Sequence, residues 1–215
     1  MNKLHYLFHS ITYYVAWFSC IALAARGFSW MSSLMGIVCV LIQIYWQYRI
    51  QHHTRGLWSL LGLIVCISTL IDSILIYNGV IIFSANPFAP YFTSPWMIAI
   101  WISFTVVLYS TLNQLFNHLI LLGLLSFVGF AFSYAVGAKM GAAFFPYGYK
   151  TCYLIGAIWL ILLPSAICCY QKIMGKNEYH CNRIFWSFVK NVFGIDLHSI
   201  LGTAKRIMDW FRILL

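Results

Sequence analysis

Six stretches of apolar residues, each close to the length of a membrane span, constrain this chain more than any other feature of its sequence. They lie near residues 10–26, 31–48, 57–77, 95–112, 119–138 and 151–170. A helix that crosses a bilayer needs about 20 mostly apolar residues and satisfies its backbone groups internally. Only 8% of the 215 residues are charged, against about 25% in soluble domains. The sequence therefore predicts an all-α integral membrane protein, with a six-transmembrane-helix bundle over residues 1–170.

The first stretch also resembles a signal peptide, because the sequence ALAA at 22–25 imitates a cleavage site. A second apolar stretch follows almost at once, near residues 31–48. A short hairpin of two retained spans fits this arrangement better than a cleaved leader.

The distribution of Lys and Arg predicts the orientation of these spans. With six spans, one side of the membrane carries ten of the 13 cationic residues and the other carries only Arg26, Lys139 and Lys150. Cytoplasmic loops are enriched in Lys and Arg, so we expect both termini in the cytoplasm. The same distribution argues against nucleic-acid binding as the reason for the net charge of +9, since most cations lie near span ends or in the tail.

Residues 171–215 form a separate, basic tail. From Asp196 onward, apolar residues recur with helical spacing on one face and polar residues on the other. This pattern predicts a C-terminal amphipathic helix lying on the cytoplasmic membrane surface, with a partner-binding helix as the alternative. The predicted surface contacts come from Lys205, Arg206, Trp210, Phe211 and Arg212.

Asp72 is the only acidic residue among the first 177, and it lies within an apolar run. A carboxylate inside the membrane is costly unless it is paired or neutralised, and such residues often mark functional sites. Counting residues along the spans places Arg26 and Lys139 on the same outer half. We therefore predict a polar cluster of Asp72, Arg26 and Lys139, either a structural ion pair or a pocket for a headgroup or a proton. A protonated Asp72 bonded to Ser68, Thr69 or Ser73 is the remaining alternative.

Small residues recur every four positions in the fifth stretch, at Gly129, Ser133, Gly137 and Gly141. Such a stripe lets a neighbouring helix approach closely. Close helix packing is the favoured interpretation, and a groove that admits a lipid acyl chain is the alternative.

The seven histidines all fall on the predicted cytoplasmic side. His5 and His9 are four residues apart, and His52 and His53 are adjacent. Metal-dependent membrane oxygenases need more ligands than this, so interfacial histidines without metal are favoured, and no cofactor is expected. The cysteines show no metal-ligand spacing and are interpreted as small apolar fillers.

Catalytic signatures are also missing from the sequence: it contains no nucleophile elbow, phosphate-binding loop or dinucleotide-binding glycine motif. One carboxylate before residue 178 excludes paired-carboxylate catalysis inside the bundle. These observations lean against an enzyme without deciding the question.

Four segments, TLIDSILIYNGVIIF, SPWMIAIWISF, SYAVGAKMGA and IWLILLP, follow one another in an order and spacing that resemble a family of bacterial inner-membrane proteins, domain of unknown function 2878. The resemblance covers roughly residues 8–170. The positions that match its pattern are Asp72, Pro95, Trp96, Trp101, Gly137, Lys139 and Gly141. It implies a location in the bacterial inner membrane and no assigned activity. Genes of the family often lie near those for cyclopropane-fatty-acid-synthase-like and flavin-dependent enzymes, which implies a link to membrane-lipid modification.

The function expected from these features is that of a non-catalytic lipid-binding or accessory protein linked to membrane-lipid modification. Its expected partners are membrane lipids, and a cytoplasmic lipid-modifying enzyme is a further candidate. A small proton-coupled transporter that uses Asp72 is the first alternative, and an integral membrane lipid-modifying enzyme is the second.

Overall fold

The structure is a computed structural model that describes residues 3–50, 54–175 and 187. Six α-helices run through it in chain order: α1 (Lys3–Ala25), α2 (Ser29–Ile50), α3 (Arg55–Tyr77), α4 (Pro95–Ser110), α5 (Leu119–Lys139) and α6 (Lys150–Ile173). A 3-10 helix, Asn113–Asn117, lies between α4 and α5. Two short strands, β1 (Ile82–Phe83) and β2 (Ala143–Phe144), complete the secondary structure.

Five of the helices are long and apolar enough to cross a membrane, namely α1, α2, α3, α5 and α6. The sixth, α4, is apolar but has only 16 residues, about 24 Å at 1.5 Å per residue. This architecture is that of an all-α membrane protein. The predicted helix positions agree with the structure within a few residues, except that α1 begins at Lys3 rather than near residue 10.

Helix α4 lies at the centre of the bundle and packs against α1, α2 and α3, whereas α5 packs mainly against α6. Most residues of α4 are buried, including Trp96 and Trp101. It begins with Pro95 directly after the N-cap residue Ser94, an arrangement that suits the fixed backbone torsion of proline. The Ser94 hydroxyl donates to the Ala85 carbonyl rather than to the helix.

The connections 78–94 and 140–149 meet at one end of the bundle. Ile82 pairs with Phe144 and Phe83 with Ala143 in an antiparallel ladder, and the Ser84 hydroxyl donates to the Gly141 carbonyl at 2.6 Å. Gly141 has a positive φ of 89°, which glycine adopts without steric cost. The turn after α5 therefore folds back onto the connection that follows α3.

The tail predicted from residue 171 onward falls almost entirely outside the described residues, and so do Lys205, Arg206, Trp210, Phe211 and Arg212. Only the start of this region, as far as residue 175, belongs to the end of α6 and the turn after it.

Candidate functional site: a buried carboxylate beside a lateral groove

Asp72 is completely buried in α3, and both of its carboxylate oxygens accept hydrogen bonds from neutral side chains. The indole N–H of Trp101 donates to Oδ2 at 2.8 Å. The Tyr134 hydroxyl donates to Oδ1 at 2.7 Å. Buried Trp and Tyr side chains generally need such a partner for their polar end. The carboxylate thus joins three helices, α3, α4 and α5.

Their positions in the helices bring these three side chains to one height. Asp72 lies five residues before the end of α3, Trp101 six residues after the start of α4, and Tyr134 five residues before the end of α5. At 1.5 Å per residue, all three lie roughly 8–9 Å from the same end of the bundle. That end carries the β1–β2 pairing.

Aromatic rings enclose this hydrogen-bonded group. The Trp101 ring centroid lies 4.6 Å from that of Trp159 and 5.2 Å from that of Phe130. Phe130 and Phe104 are in edge contact at 5.4 Å. Such a wall excludes water, and hydrogen bonds in a medium of low dielectric constant are electrostatically stronger than in water.

The two predicted cations do not join Asp72. Arg26 and Lys139 are both exposed, and within residues 3–50 and 54–175 the groups that interact with the carboxylate are Tyr134 and Trp101. The predicted polar cluster of Asp72, Arg26 and Lys139 therefore does not form in the structure. Residue counting gives only a height along each helix, whereas the two cations lie at helix ends, where long side chains extend toward water.

The hydroxyl groups near Asp72 in α3 bond mainly to the backbone. The Ser68 hydroxyl donates to the Val65 carbonyl, and that of Ser73 donates to the Thr69 carbonyl. Ser73 also accepts from the backbone N–H of Thr93 at 3.1 Å, which ties α3 to the connection before α4.

A groove opens on the side of the bundle between α1 and α5, with α4 as its floor. Its volume is about 490 Å³. We call it the lateral groove. Its rim includes the exposed side chains Tyr14 and Phe18 on α1 and Leu125 and Phe132 on α5. None of the described residues that line it is charged. The groove exists because α1 packs against α2 and α4, whereas α5 packs mainly against α6. The two helices therefore leave a space between them.

The predicted stripe of small residues lies along this groove and its continuation. Gly129 and Ser133 line the lateral groove, and a Cβ atom added at Gly129 would meet no atom within 4 Å. Gly137 faces Ile21 of α1, with 3.7 Å from an added Cβ to Cδ1. Gly141 lies in the turn beyond α5, opposite Ala25.

A smaller cavity of about 40 Å³ lies between the lateral groove and the Asp72 group. We call it the inner cavity. Trp101 and Tyr134 line it. The residues that it shares with the groove are Tyr13, Trp17, Phe104, Phe130 and Ser133. Trp101 and Tyr134, the two donors to Asp72, therefore form one wall of the inner cavity. The Asp72 carboxylate itself does not line the cavity.

The histidines are divided between the core and the surface. His5 and His9 are buried, although they were predicted to be interfacial, while His118 is exposed. His52, His53, His180 and His198 lie outside the described residues. Within the part of the chain that the structure describes, no group of three or more His, Cys, Asp or Glu residues is arranged to hold a metal ion.

Tyr134 is the site residue that the sequence reasoning missed. It is part of the segment SYAVGAKMGA, but the partners considered for Asp72 on other helices were all cations. Counting residues from the helix ends suggested Arg26 as a partner of Asp72. The same count also places Tyr134 and Trp101 at the height of Asp72.

A family model, that of the proteins of unknown function DUF2878, matches residues 6–165. The chain belongs to this family. The match includes Asp72, Trp101 and Tyr134 and both walls of the lateral groove, so the whole site lies in the part of the chain that defines the DUF2878 family. Neither the curated proteins nor the solved structures contain a match to the chain.

Proposed function

We propose that this DUF2878 protein binds a single apolar chain of a membrane lipid in the lateral groove, as a non-catalytic lipid-binding or accessory protein. The observation that carries the proposal is the volume of about 490 Å³, which falls within the range of about 300–1,000 Å³ typical of ligand sites. An apolar lining without charged side chains suits a hydrocarbon chain and disfavours a charged solute.

The position of the groove also supports a lipid as ligand. Its rim consists of side chains on the outer faces of α1 and α5, such as Phe18 and Phe132, and these faces meet lipid if both helices span the membrane. A chain therefore enters sideways without passing through water. Inside, Tyr13 and Ser133 line both the groove and the inner cavity, and their hydroxyls offer hydrogen bonds to a small polar group.

A photoreactive fatty acid tests this proposal, because its diazirine group labels the residues that surround the chain. We expect labelling of groove-lining peptides from α1 and α5 in the purified protein. Gly129→Leu fills the groove without meeting the backbone, since no atom lies within 4 Å of the added Cβ. This variant is expected to lose most of the groove labelling.

Gly62→Leu is the matched control, because Gly62 is also an exposed helical glycine with no atom within 4 Å of an added Cβ. It lies on α3, away from the groove, and is expected to label like the unaltered protein. Equal labelling of α1 and α5 in both variants would show that the groove is not the binding site.

A proton-coupled carrier is a second candidate, favoured by one observation. Asp72 is fully buried and bonds only to neutral donors among the described residues, a setting in which an intramembrane acid can take up a proton. Asp72→Asn is expected to abolish pH-driven uptake of the transported compound into proteoliposomes. Normal uptake by that variant would reject this candidate.

The proposal includes six spans in the bacterial inner membrane, with both termini in the cytoplasm. Two structural features support it, namely the pairing of β1 with β2 at one end of the bundle and the central place of α4. The third support is the excess of Lys and Arg on the side of the membrane that the predicted topology assigns to the cytoplasm. Residues 171–215 would then be a cytoplasmic tail that ends in an amphipathic helix on the membrane surface.

A cytoplasmic lipid-modifying enzyme is the proposed partner of that tail. Removing residues 196–215 is expected to abolish co-purification of the enzyme while leaving the groove labelling intact. Co-purification that survives this truncation would contradict docking through the tail.

A further inference from the structure

Two cations lie at the end of the bundle that carries the β1–β2 pairing, one on each of the two helices that flank the lateral groove. Lys139 is the last residue of α5, and Arg26 follows Ala25, the last residue of α1. Both cationic side chains are exposed. The binding of an apolar chain in the groove gives neither of them a role.

A contact between the ends of α1 and α5 brings the two cations to one corner of the molecule. A Cβ atom added at Gly141 would lie 3.8 Å from the Cβ of Ala25. Arg26 is the next residue after Ala25, and Lys139 is two residues before Gly141. The two cations therefore lie on either side of the contact that closes this end of the groove.

Lys139 lies on the face of α5 that borders the groove. Phe132 is on the groove rim, and residues seven apart, such as Phe132 and Lys139, share one face of a helix. The rise between them is about 10 Å at 1.5 Å per residue. This distance leaves room for the glycerol and ester groups of a phospholipid between a phosphate at Lys139 and a chain segment in the groove.

No acidic side chain of the described residues is available to neutralise the two cations. Within residues 3–50 and 54–175 the acid is Asp72 alone, and its two oxygens accept hydrogen bonds from Trp101 and Tyr134. Arg recognises phosphate oxygens through paired N–H groups, and Lys binds them as a point charge. Cations at the membrane surface also attract anionic lipid headgroups. The charge at this corner therefore complements a phosphate that carries a net negative charge.

We propose that the lipid in the lateral groove is an anionic glycerophospholipid whose headgroup phosphate contacts Arg26 and Lys139. The inference rests on the proposed function, because it assigns the headgroup of the lipid whose chain the groove binds. A zwitterionic phospholipid also carries a phosphate, but its ammonium group offsets the negative charge that attracts the two cations. The site therefore selects phospholipids by net charge.

Competition between two phospholipids in a neutral detergent tests the assignment. Phosphatidylcholine with a diazirine in one chain labels the groove of the purified full-length protein, and unlabelled phosphatidylglycerol or phosphatidylcholine with the same chains displaces it. We expect phosphatidylglycerol to act at about 30-fold lower concentration, since each cation contributes a factor of about five. The preference should fall in about 1 M NaCl, because salt screens exposed charges.

Arg26→Gln and Lys139→Gln are each expected to lower the preference about fivefold and to leave displacement by phosphatidylcholine unchanged. Lys150→Gln is the matched control, since it removes an exposed cation at the start of α6, at the same end of the bundle. This control is expected to keep the full preference.

The outcomes separate the headgroup from the groove. If the unaltered protein is labelled in the groove but the two lipids displace the probe equally, the headgroup assignment is overturned and the proposed function stands. A preference that survives in the Arg26→Gln, Lys139→Gln double variant would also overturn the assignment. If the probe labels neither α1 nor α5, chain binding in the groove fails, and the headgroup assignment fails with it.

Discussion

The energetic role of Asp72 follows from the chemistry of its two partners. A buried carboxylate is stabilised by hydrogen bonds from donors that remain in place. Trp101 is held by the aromatic packing around it, and Tyr134 is buried on α5. Neither donor carries a charge. The group therefore links α3, α4 and α5 through hydrogen bonds to a charged or protonated acid, rather than through an ion pair.

Tyr134→Phe removes one donor and leaves Asp72 Oδ1 buried without a partner. We expect the free energy of unfolding to fall by about 1–3 kcal/mol, the cost of leaving a buried polar group unsatisfied. Reversible unfolding in mixed micelles with increasing sodium dodecyl sulfate measures the change. Tyr153→Phe, which removes an exposed hydroxyl on α6, is the control and should leave stability within about 0.5 kcal/mol.

A double-mutant cycle with Asp72→Ala, which removes both acceptor oxygens, separates this contact from general packing. Because both substitutions disrupt the same hydrogen bond, their effects should be less than additive by about 0.5–3 kcal/mol. Strict additivity would mean that the bond between Tyr134 and Asp72 contributes nothing to stability.

The sequence was sufficient to single out Asp72, but it was not sufficient to identify its partners. A lone acid in an apolar run stands out because charge is rare in a membrane. Which face of α5 carries Tyr134 toward α3 depends on helix rotation, and residue counting leaves that rotation undetermined. Among partners on other helices, only cations were considered, although neutral donors such as the Tyr134 hydroxyl satisfy a carboxylate without burying a second charge.

Among the helices, the closest packing involves glycines outside the predicted stripe. A Cβ atom added at Gly156 of α6 would lie 2.7 Å from the Phe127 carbonyl oxygen, and one added at Gly123 of α5 would lie 2.8 Å from the Leu160 carbonyl oxygen. These two glycines let the backbones of α5 and α6 approach each other, as small residues do in other membrane helix pairs. Gly129, by contrast, borders open space.

Gly156→Ala is expected to destabilise the protein by about 1–3 kcal/mol, since the added methyl group must displace a helix backbone. Gly62→Ala is the matched control. Its Cβ meets no atom within 4 Å, and a helical Gly-to-Ala change without a clash is expected to be neutral or to stabilise by up to about 1 kcal/mol. Unfolding titrations of both variants provide the comparison, and equal effects would contradict close packing at Gly156.

Helix positions were predictable to within a few residues because the ends of the apolar runs and the ends of the helices nearly coincide in a membrane protein. The exception is the start of α1, where Lys3, His5 and His9 precede the apolar run but belong to the helix. Hydropathy locates the apolar segment, but it does not locate the residue at which the hydrogen-bonded backbone of the helix begins. The spacing of small residues was equally ambiguous, because a stripe along one face suits either a packed neighbour or a groove.

At the scale of the whole molecule, the pairing of β1 with β2 restricts the path of the chain. It brings the connections after α3 and after α5 to one end of the bundle. The 3-10 helix Asn113–Asn117 lies between α4 and α5. It is on the opposite side of the membrane from these two connections only if α4 crosses the membrane. The 16 residues of α4 are near the lower limit of about 17 residues for a span, so this helix decides between five and six spans.

Labelling of single cysteines distinguishes these topologies in a background in which all seven native cysteines are replaced. Ile82 and Phe144 are exposed members of the strand pair, and Asn113 is exposed on the 3-10 helix. With six spans and cytoplasmic termini, a membrane-impermeant maleimide should label Ile82→Cys and Phe144→Cys in spheroplasts, and Asn113→Cys only after the membrane is permeabilised. Labelling of all three in intact spheroplasts would mean that neither α4 nor α5 crosses, and the reverse pattern would place the termini outside, against the distribution of Lys and Arg.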